Sequence, residues 1–383
     1  MPAPIELYEC TSSADRKQFI HLAWEIYKDD PYWVPPLISE RVAFYDKKKN
    51  PFFEHSDAAM FLAKRDNKVV GTIVAIWNNR HNEFHQEKIG FFGGFECIND
   101  QAVANALFDR ARDWVKARGA TALRGPTTLS FNDEVGLLVD GFDGIPQVLM
   151  TYNPRYYIEL YERYGLQKAM DLWAWWNPIT QEEYKVSNKL DRVVEIAKKR
   201  GKFTIRTADF KQLDREIGIL KHIYGSDSGA WKDNWGHVPL TEHEIDHIVR
   251  GLKQFADPEL ILVAEINGEP VGIAVTLPNV NRPLHAAYPN PKTPELWTLL
   301  KFLWHRRKMV NSVRFVLLGV LPEHRMSGID AALIWETLQT AMRKGYIGGE
   351  LSWVLETNEA MNRIGKIGGG HVYRTYRVYE RAT

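Results

Sequence analysis

Apolar and polar positions along the chain form a pattern that occurs twice. An apolar segment, a polar turn and a β-branched return segment occupy 61–75, with the turn at Asp66-Asn67, and a matching set occupies 262–276, with the turn at Asn267-Gly268. Two apolar runs joined by a short turn of Asn, Asp or Gly are typical of a β-hairpin. The sequence therefore predicts one hairpin in each half of the chain.

The elements around the two hairpins recur in one order. Each hairpin follows a helical pattern with a Val-Pro pair, and it precedes an apolar strand, an amphipathic helix that ends in basic residues and glycine, and another strand. The amphipathic helices are predicted at 101–118 and 329–344, the second with its apolar residues on one face, as packing on a sheet requires. An Asn-initiated helix and an aromatic-rich strand close each copy, with the strands at 172–176 and 372–379.

This repetition predicts both the fold class and the domain organisation. We expect an α/β (α+β) protein with two tandem domains, at 1–178 and 179–383, each with a mixed central sheet flanked by helices. The copies differ by insertions, at 125–147 in the first and at 279–307 in the second.

Composition narrows the class of protein. The chain has 383 residues, 45% of them apolar, with 49 Lys and Arg against 48 Asp and Glu. Because the net charge is only +1, no nucleic-acid partner is expected. The apolar runs are shorter than the roughly 20 residues of a membrane span, and no secretory signal opens the chain. We expect a cytoplasmic protein without a transmembrane segment, and its oligomeric state stays open.

A strand-to-helix turn in the second copy is a candidate anion site. The turn reads Leu-Pro-Glu-His-Arg-Met-Ser-Gly over 321–328, and the helix that follows begins near Gly328. The first N–H groups of a helix have no partner within the helix, and a glycine lets a ligand approach the backbone without a Cβ in the way. An ordinary connection without a ligand is the alternative.

The element order and this turn resemble the GNAT acyltransferase superfamily. Its cofactor motif has Gln or Arg, two variable residues, Gly, one variable residue and then Gly or Ala; Arg325 and Gly328 match, whereas Asp330 does not. The resemblance implies that acetyl-CoA or a longer acyl-CoA binds here as cosubstrate, with its pyrophosphate on the helix start. Asp330 would repel that group unless it is turned away or offset by Arg325. The implied cofactor-binding residues are Val320, Leu321, Arg325, Met326, Ser327, Gly328, Ile329, Asp330, Asn358 and Asn362.

Other roles follow from the same resemblance. Asn358 and Asn362 would hydrogen-bond the pantetheine amides, and capping of the helix by Asn358 is the alternative. The first copy lacks the motif and has a possible role in the acceptor pocket. Its Tyr161 falls where family members often place the tyrosine that protonates the leaving thiolate, and an ordinary aromatic contact is the alternative.

Acyl transfer to an amine also needs a base. An alkylammonium with a pKa of about 10.4 is neutral only about one time in a thousand near pH 7, so a carboxylate or histidine that takes the proton lowers the barrier. Glu323 and His324 follow the strand directly, and Glu134 lies in the long loop of the first copy. We list these three residues with Tyr161 as the catalytic candidates.

The sequence thus predicts an acyl-CoA-dependent N-acyltransferase with a small-molecule or lipid-like amine as acceptor. A noncatalytic protein that binds acyl-CoA or another small molecule is the alternative. No metal is expected, because His243 and His247 have the spacing of a helical pair but no third ligand at a fixed interval. The basic run 305–308 is interpreted as a solvated helix face, with a coenzyme A phosphate or an anionic membrane as other partners.

Overall fold

The computed structural model describes residues 3–179, 188–224, 231, 234–325 and 327–383. Within it the chain forms two compact units. Unit 1 comprises 1–172, 281–307 and 374–383, and unit 2 comprises 173–280 and 308–373. Each unit is therefore assembled from more than one stretch of chain, and the functional division at 178 stays a prediction.

Unit 1 is a sheet with helices packed on it. Its strands follow the order β1-β2-β3-β4-β5-β13-β7, and β6 pairs with β13. Only the first part of β7, as far as Leu172, the part of α10 as far as Arg307 and the part of β13 from Arg374 belong to this unit. Its elements are β1 (Glu6–Glu9), α1 (Ser13–Ile26), α2 (Ile38–Phe44), β2 (Asp57–Arg65), β3 (Lys68–Trp77), α3 (Asn79–His85), β4 (Ile89–Cys97), α4 (Gln101–Lys116), β5 (Ala122–Gly125), β6 (Leu137–Asp140), α5 (Tyr157–Arg163), β7 (Gln167–Pro178), α9 (Asn281–Ala287), α10 (Glu295–Met309) and β13 (His371–Ala382).

Unit 2 repeats the arrangement. Its strand order is β7-β12-β11-β10-β9-β8, in which β7 contributes its second part, from Trp173. The elements are α6 (Asn188–Gly201), β8 (Phe203–Thr207), α7 (Leu213–Tyr224), α8 (Glu242–Leu252), β9 (Ile261–Ile266), β10 (Glu269–Pro278), β11 (Ser312–Val320), α11 (Ile329–Arg343), β12 (Gly348–Leu355) and α12 (Glu359–Ile367).

The two predicted hairpins are confirmed. They are formed by β2 with β3 and by β9 with β10. Both turn residues have positive φ in each case, at 51° and 62° for Asp66 and Asn67 and at 52° and 87° for Asn267 and Gly268. Positive φ at both central positions is the type I′ geometry, whose twist matches that of the flanking strands. Asn, Asp and Gly tolerate this region, which explains why these residues occupy the turns.

In each unit the strand after the hairpin separates from its parallel neighbour. The β4 strand pairs with β5 only over 89–91, and β11 pairs with β12 only over 312–315. A register irregularity follows in both strands, near Gly94 in β4 and at Val316 in β11. A β-bulge bends a strand and increases its twist. Both strands then continue, to Cys97 and Val320, paired on their hairpin side.

A helix packs against each sheet directly after this diverging strand. The buried residues of α4 include Val103, Leu107 and Phe108, and those of α11 include Ile329 and Leu333, all fully inaccessible. The glycine of each return strand lies beneath the helix of the same copy. A Cβ on Gly71 would come within 2.6 Å of Leu107, and one on Gly272 within 3.1 Å of Ile329. The predicted fold class, two α/β (α+β) copies with mixed sheets flanked by helices, is confirmed.

Candidate functional site

The cap residue at the start of α11 makes no side-chain hydrogen bond to the helix. Its cap residue is Gly328, in the left-handed region at φ 82° and ψ 10°. Glycine is the residue that adopts this conformation without strain, and it has no side-chain oxygen that would accept from the first N–H groups of the helix. Asp330 is exposed, and Ile329 is buried in the core. The carboxylate of Asp330 therefore lies in solvent.

The other predicted residues of this turn follow the end of β11. Val320 and Leu321 are buried, and the Leu321 N–H donates to the carbonyl of Val271 at 2.9 Å. Glu323 and His324 lie on a short 3-10 turn, where Glu323 is exposed and His324 half-buried. Arg325 is exposed, and the Ser327 hydroxyl donates to the His324 carbonyl at 2.6 Å. Met326 lies outside the described residues.

The two asparagines predicted to bind the cofactor, Asn358 and Asn362, both make hydrogen bonds within unit 2. Asn358 caps α12, and its side-chain oxygen accepts from the Met361 N–H at 3.1 Å. The Asn362 amide donates to the carbonyl of Leu355 at 3.0 Å and accepts from the Trp175 indole N–H at 3.0 Å. The capping alternative for Asn358 is thus present in the structure, and contacts of either residue with pantetheine stay a prediction.

The helix start at the matching place in unit 1 is occupied by the chain itself. The Asp100 carboxylate accepts from the N–H groups of Ala102 at 2.9 Å and Val103 at 3.3 Å. It also pairs with Arg65 at 2.8 Å. Burial acts to raise the pKa of Asp100, but the hydrogen bonds from Arg65 and the helix N–H groups hold it below its ordinary value. An anion approaching α4 would meet this carboxylate.

Two tyrosines at the start of α5 hydrogen-bond to the backbone of Cys97, the last residue of β4. The Tyr157 hydroxyl accepts from the Cys97 N–H at 2.8 Å, and the Tyr156 hydroxyl donates to the Cys97 carbonyl at 2.6 Å. The loop after β5 also lies against the strand, because a Cβ on Gly93 would come within 1.6 Å of the Thr127 carbonyl oxygen. The start of α5 and the loop after β5 thus lie directly against β4.

Tyr161 lies in the core of unit 1. Its side chain is 1% exposed and packs against the rings of Phe95, Phe108 and Tyr379 at centroid distances of 5.2, 5.0 and 5.5 Å. Burial raises the pKa of the Tyr161 hydroxyl well above its ordinary value. The aromatic contact that the sequence offered as the alternative is therefore present, and proton donation by Tyr161 stays a prediction.

Glu96, on β4, is a candidate that the sequence analysis missed. Its carboxylate accepts from the hydroxyl groups of Tyr157 at 2.7 Å and Tyr27 at 3.3 Å. Burial raises the pKa of Glu96 to about 7, against the opposing effects of the two hydroxyls and of the Arg41 charge. The residue nevertheless keeps some solvent exposure. A carboxyl group with this pKa exchanges protons near neutral pH, as a general base must.

Glu134, a predicted base, lies in the same unit but is held in an ion pair. Both of its oxygens accept from the Arg41 guanidinium, at 2.7 and 2.9 Å, and one accepts from the Thr128 hydroxyl at 3.2 Å. Burial acts to raise the pKa of Glu134, but the charge and hydrogen bonds of Arg41 hold it below its ordinary value. The Glu134 carboxylate therefore stays ionised, and its charge is balanced by Arg41. Glu96 is better suited to take a proton at neutral pH.

The two copies differ at the position of Glu96. Glu96 lies opposite Thr72 in unit 1, and Gly319 lies opposite Ile273 in unit 2, one residue after the matching glycines of the return strands. A Cβ on Gly319 would come within 2.1 Å of the Trp231 ring, which covers the strand there. Unit 2, in which the start of α11 has a glycine cap, thus has no carboxyl group at this position. Unit 1, which has Glu96 there, has the start of α4 capped by Asp100.

Among the residues that the structure describes, no three His, Cys, Asp or Glu side chains gather as a metal site would require. In the same residues, no helix combines the length and apolar character needed to span a membrane.

Comparison with known proteins gives the relationship. No family model matches the chain. The chain is 38% identical over 392 residues to a protein of Caulobacter vibrioides named bacterial ceramide synthase, covering 99% of this chain and 98% of that protein. The chain belongs to the bacterial ceramide synthase family. Protein YghO of Escherichia coli is also similar, at 35% identity over 96% of this chain and 93% of YghO.

Solved structures show the fold of this ceramide synthase family member. A tandem GNAT protein from the clavulanic acid biosynthesis pathway superposes with a TM-score of 0.56 at 10% identity, covering 99% of this chain and 98% of its own. A GCN5-related N-acetyltransferase from Sphaerobacter thermophilus gives 0.52 at 14% identity, covering 99% and 96%. The predicted tandem GNAT-like fold is confirmed, and the relationship to a named synthase supports the prediction that the protein is an enzyme.

Proposed function

We propose that the protein transfers an acyl group from acyl-CoA to the amino group of a long-chain, lipid-like amine. Binding of acyl-CoA, the acyl donor, is supported by the start of α11, where Gly328 leaves the first helical N–H groups without a side-chain cap. The choice of a long-chain amine as acceptor is supported by the family relationship. A ceramide is the N-acylated form of a long-chain amino alcohol, and the Caulobacter relative is named for its synthesis.

The donor site would hold the pyrophosphate of coenzyme A. Helix N–H groups and the positive end of the helix dipole favour an anion, and Arg325 adds a positive charge one turn away in sequence. Val320, Leu321, Ser327 and Ile329 form the backbone around this start, as the GNAT motif implies. The exposure of Asp330 supports the proposal, because its carboxylate is not held against the helix start.

The reaction needs a nucleophile, a leaving group and a proton acceptor. The neutral amine attacks the thioester carbonyl carbon, a C–N bond forms, the C–S bond breaks and the sulfur leaves as coenzyme A thiolate. One proton passes from the nitrogen to a base, and the thiolate takes up a proton. Glu323 and His324 are proposed for the first role beside the donor. Glu96 of unit 1 is proposed as a separate candidate base on the ground of its pKa, which is raised to about 7. An acceptor-holding role for the first copy stays part of the proposal.

Product formation tests the proposal directly. The protein is incubated with palmitoyl-CoA and sphinganine, and the N-acyl product and free coenzyme A are quantified by mass spectrometry. We expect equal amounts of both products, and we expect none with a long-chain diol of the same length that lacks the amino group. Substituting ethanolamine tests the chain-length preference, and acetyl-CoA tests the acyl length. Coenzyme A release that does not depend on the amine, or no product with any pair, would contradict the proposal.

A further inference from the structure

The helix α10 of unit 1 has its apolar side toward solvent. Leu296, Trp297 and Leu300 are 66%, 60% and 49% exposed, and Leu303 and Trp304 are 55% and 61% exposed. Single exposed apolar residues are normal at a protein surface, but a contiguous patch with large aromatic residues marks an interaction site.

The exposed residues share one face of the helix. Leu296, Leu300 and Leu303 recur at the spacing of four and three residues that places side chains in a row along a helix. Trp297 and Trp304 flank this row, two helical turns apart. The other side of α10 faces the protein, where Thr298 is 2% exposed. Near the first turn, Glu295 accepts from the Ser39 N–H at 3.1 Å, which fixes the helix on unit 1.

The chain segment that contains this helix is rich in basic residues. The segment 281–309 contains six basic residues and one acidic residue, whereas the whole chain has a net charge of only +1. Lys301 and Lys308 follow Trp297 and Trp304 by four residues each, so each ammonium group lies one turn beyond an indole on the same side of the helix. Arg307 continues the leucine row and is exposed.

We propose that α10 docks this enzyme on a lipid bilayer with anionic headgroups. A helix that lies in the membrane interface buries leucine and tryptophan side chains among the acyl chains and keeps lysine and arginine at the phosphates. Tryptophan prefers this interface because its ring is apolar and its N–H is polar. A second copy of the chain fits less well, because its α10 would bring like charges together while the acidic Glu295 is already engaged by Ser39.

Vesicle binding tests the docking surface without reference to catalysis. Full-length protein is sedimented with phosphatidylcholine vesicles that contain phosphatidylglycerol, and with vesicles of phosphatidylcholine alone. We expect binding to the anionic vesicles that weakens with added salt. The double variant Trp297→Glu/Trp304→Glu should reduce the partition coefficient at least about tenfold. The variant Lys301→Gln/Lys308→Gln should reduce it severalfold, in the anionic vesicles only.

A matched control uses an exposed apolar residue elsewhere. Ile347 is 54% exposed in unit 2, so Ile347→Glu should leave vesicle binding unchanged. Circular dichroism and sedimentation velocity accompany each variant. Equal binding to neutral and anionic vesicles, or unchanged binding of the tryptophan variant, would overturn the proposal. A dimer that the tryptophan variant dissociates, with no vesicle binding by the wild type, would assign the face to a second copy instead.

Discussion

The helices α4 and α11 begin at matching places in the two copies, each after a strand that bends away from its parallel neighbour. In unit 1 the Asp100 carboxylate accepts from the first N–H groups of α4. In unit 2 the cap of α11 is Gly328, which offers these groups no side chain. This one-residue difference determines whether the cap residue itself brings a carboxylate to the positive end of the helix.

A second difference runs the other way. Unit 1 has a carboxyl group with a raised pKa at Glu96, and unit 2 has Gly319 at the same place, covered by Trp231. Unit 1 thus has the carboxyl group with the raised pKa and a capped helix start, and unit 2 has the helix start with a glycine cap and no carboxyl group at that place. Duplication of a fold allows such division, because the fold itself depends on the hairpin, the bulged strand and the packed helix and not on either polar feature.

The largest effect is expected from a substitution at the proposed donor site, the start of α11. Gly328→Ala adds a Cβ at φ 82°, within 2.9 Å of the Ala197 Cβ, and it moves the helix start on which the pyrophosphate would bind. We expect the Kd for palmitoyl-CoA to rise about thirtyfold, the equivalent of about 2 kcal/mol. Isothermal titration calorimetry measures the change.

The control for that variant lies at the other end of the same helix. Gly345 has φ 78° and no atom within 4 Å of its added Cβ, so Gly345→Ala introduces the same backbone strain without a steric clash. It should lower stability and leave the Kd unchanged. Equal losses of affinity in both variants would mean that strain alone, and not the helix start, controls binding.

The next effect concerns the carboxyl group of unit 1. The pKa of Glu96 is raised from 4.5 to about 7, so the folded state binds its proton more tightly than the unfolded state does. The resulting stability is present below about pH 4.5 and is lost as pH rises through about 7. Between about pH 5 and about pH 8.5, wild type should lose about 1–2 kcal/mol more than Glu96→Gln in urea unfolding, a discounted figure because Glu96 keeps some exposure.

Glu134 provides the opposite case in the same unit. Its pKa lies below the ordinary value, so its contribution is already complete at about pH 5. Glu134→Gln should therefore cost a similar amount at both pH values. If Glu96→Gln unfolds with the same pH dependence as wild type, the carboxyl group of Glu96 does not titrate near neutral pH and is unsuited to the proposed role.

A smaller effect is expected at the start of α4. Asp100→Ala removes the cap of that helix and the pair with Arg65, and it should lower the free energy of unfolding by about 1 kcal/mol. The Kd for palmitoyl-CoA should not change, because unit 1 is not the proposed donor site. A changed Kd for this variant would indicate that palmitoyl-CoA binds at unit 1 and would contradict the proposed donor site at α11.

The smallest effect separates two roles of one residue. The Asn358 side-chain oxygen accepts from the Met361 N–H, so capping as its sole role predicts that Asn358→Ala costs about 1 kcal/mol of stability or less and leaves acyl-CoA affinity within about twofold. Asn358→Asp, which retains a capping oxygen, should recover the stability. A large loss of affinity in both variants would show that the amide contacts the ligand.

Local features of the fold were predictable from the sequence, and long-range ones were not. The hairpins were visible because Asp66-Asn67 and Asn267-Gly268 combine turn residues with alternating strands, and α11 because its apolar residues share one face. The pairing of β13 with β5, which places Tyr379 opposite Gly125, joins the C-terminus to a distant strand and has no local signal.

The candidate site was predictable to a similar degree. The turn before α11 follows from local sequence, since a glycine at a helix start has a direct physical meaning. Glu96 was missed because its partners Tyr27 and Tyr157 are far from it in the chain, although a carboxylate inside an apolar strand was itself a signal. The apolar face of α10 was not predicted, because the sequence of the insertion at 279–307 shows the leucine spacing but not which side of the helix is left in solvent.

Hydrogen exchange at the two helix starts tests the central claim most directly. Amide exchange of the full-length protein is followed by mass spectrometry with and without palmitoyl-CoA, and the peptides that cover the first turns of α11 and α4 are compared. The account predicts added protection at the start of α11 and no change at the start of α4. Protection at α4, or none at α11 under conditions where calorimetry shows binding, would contradict it.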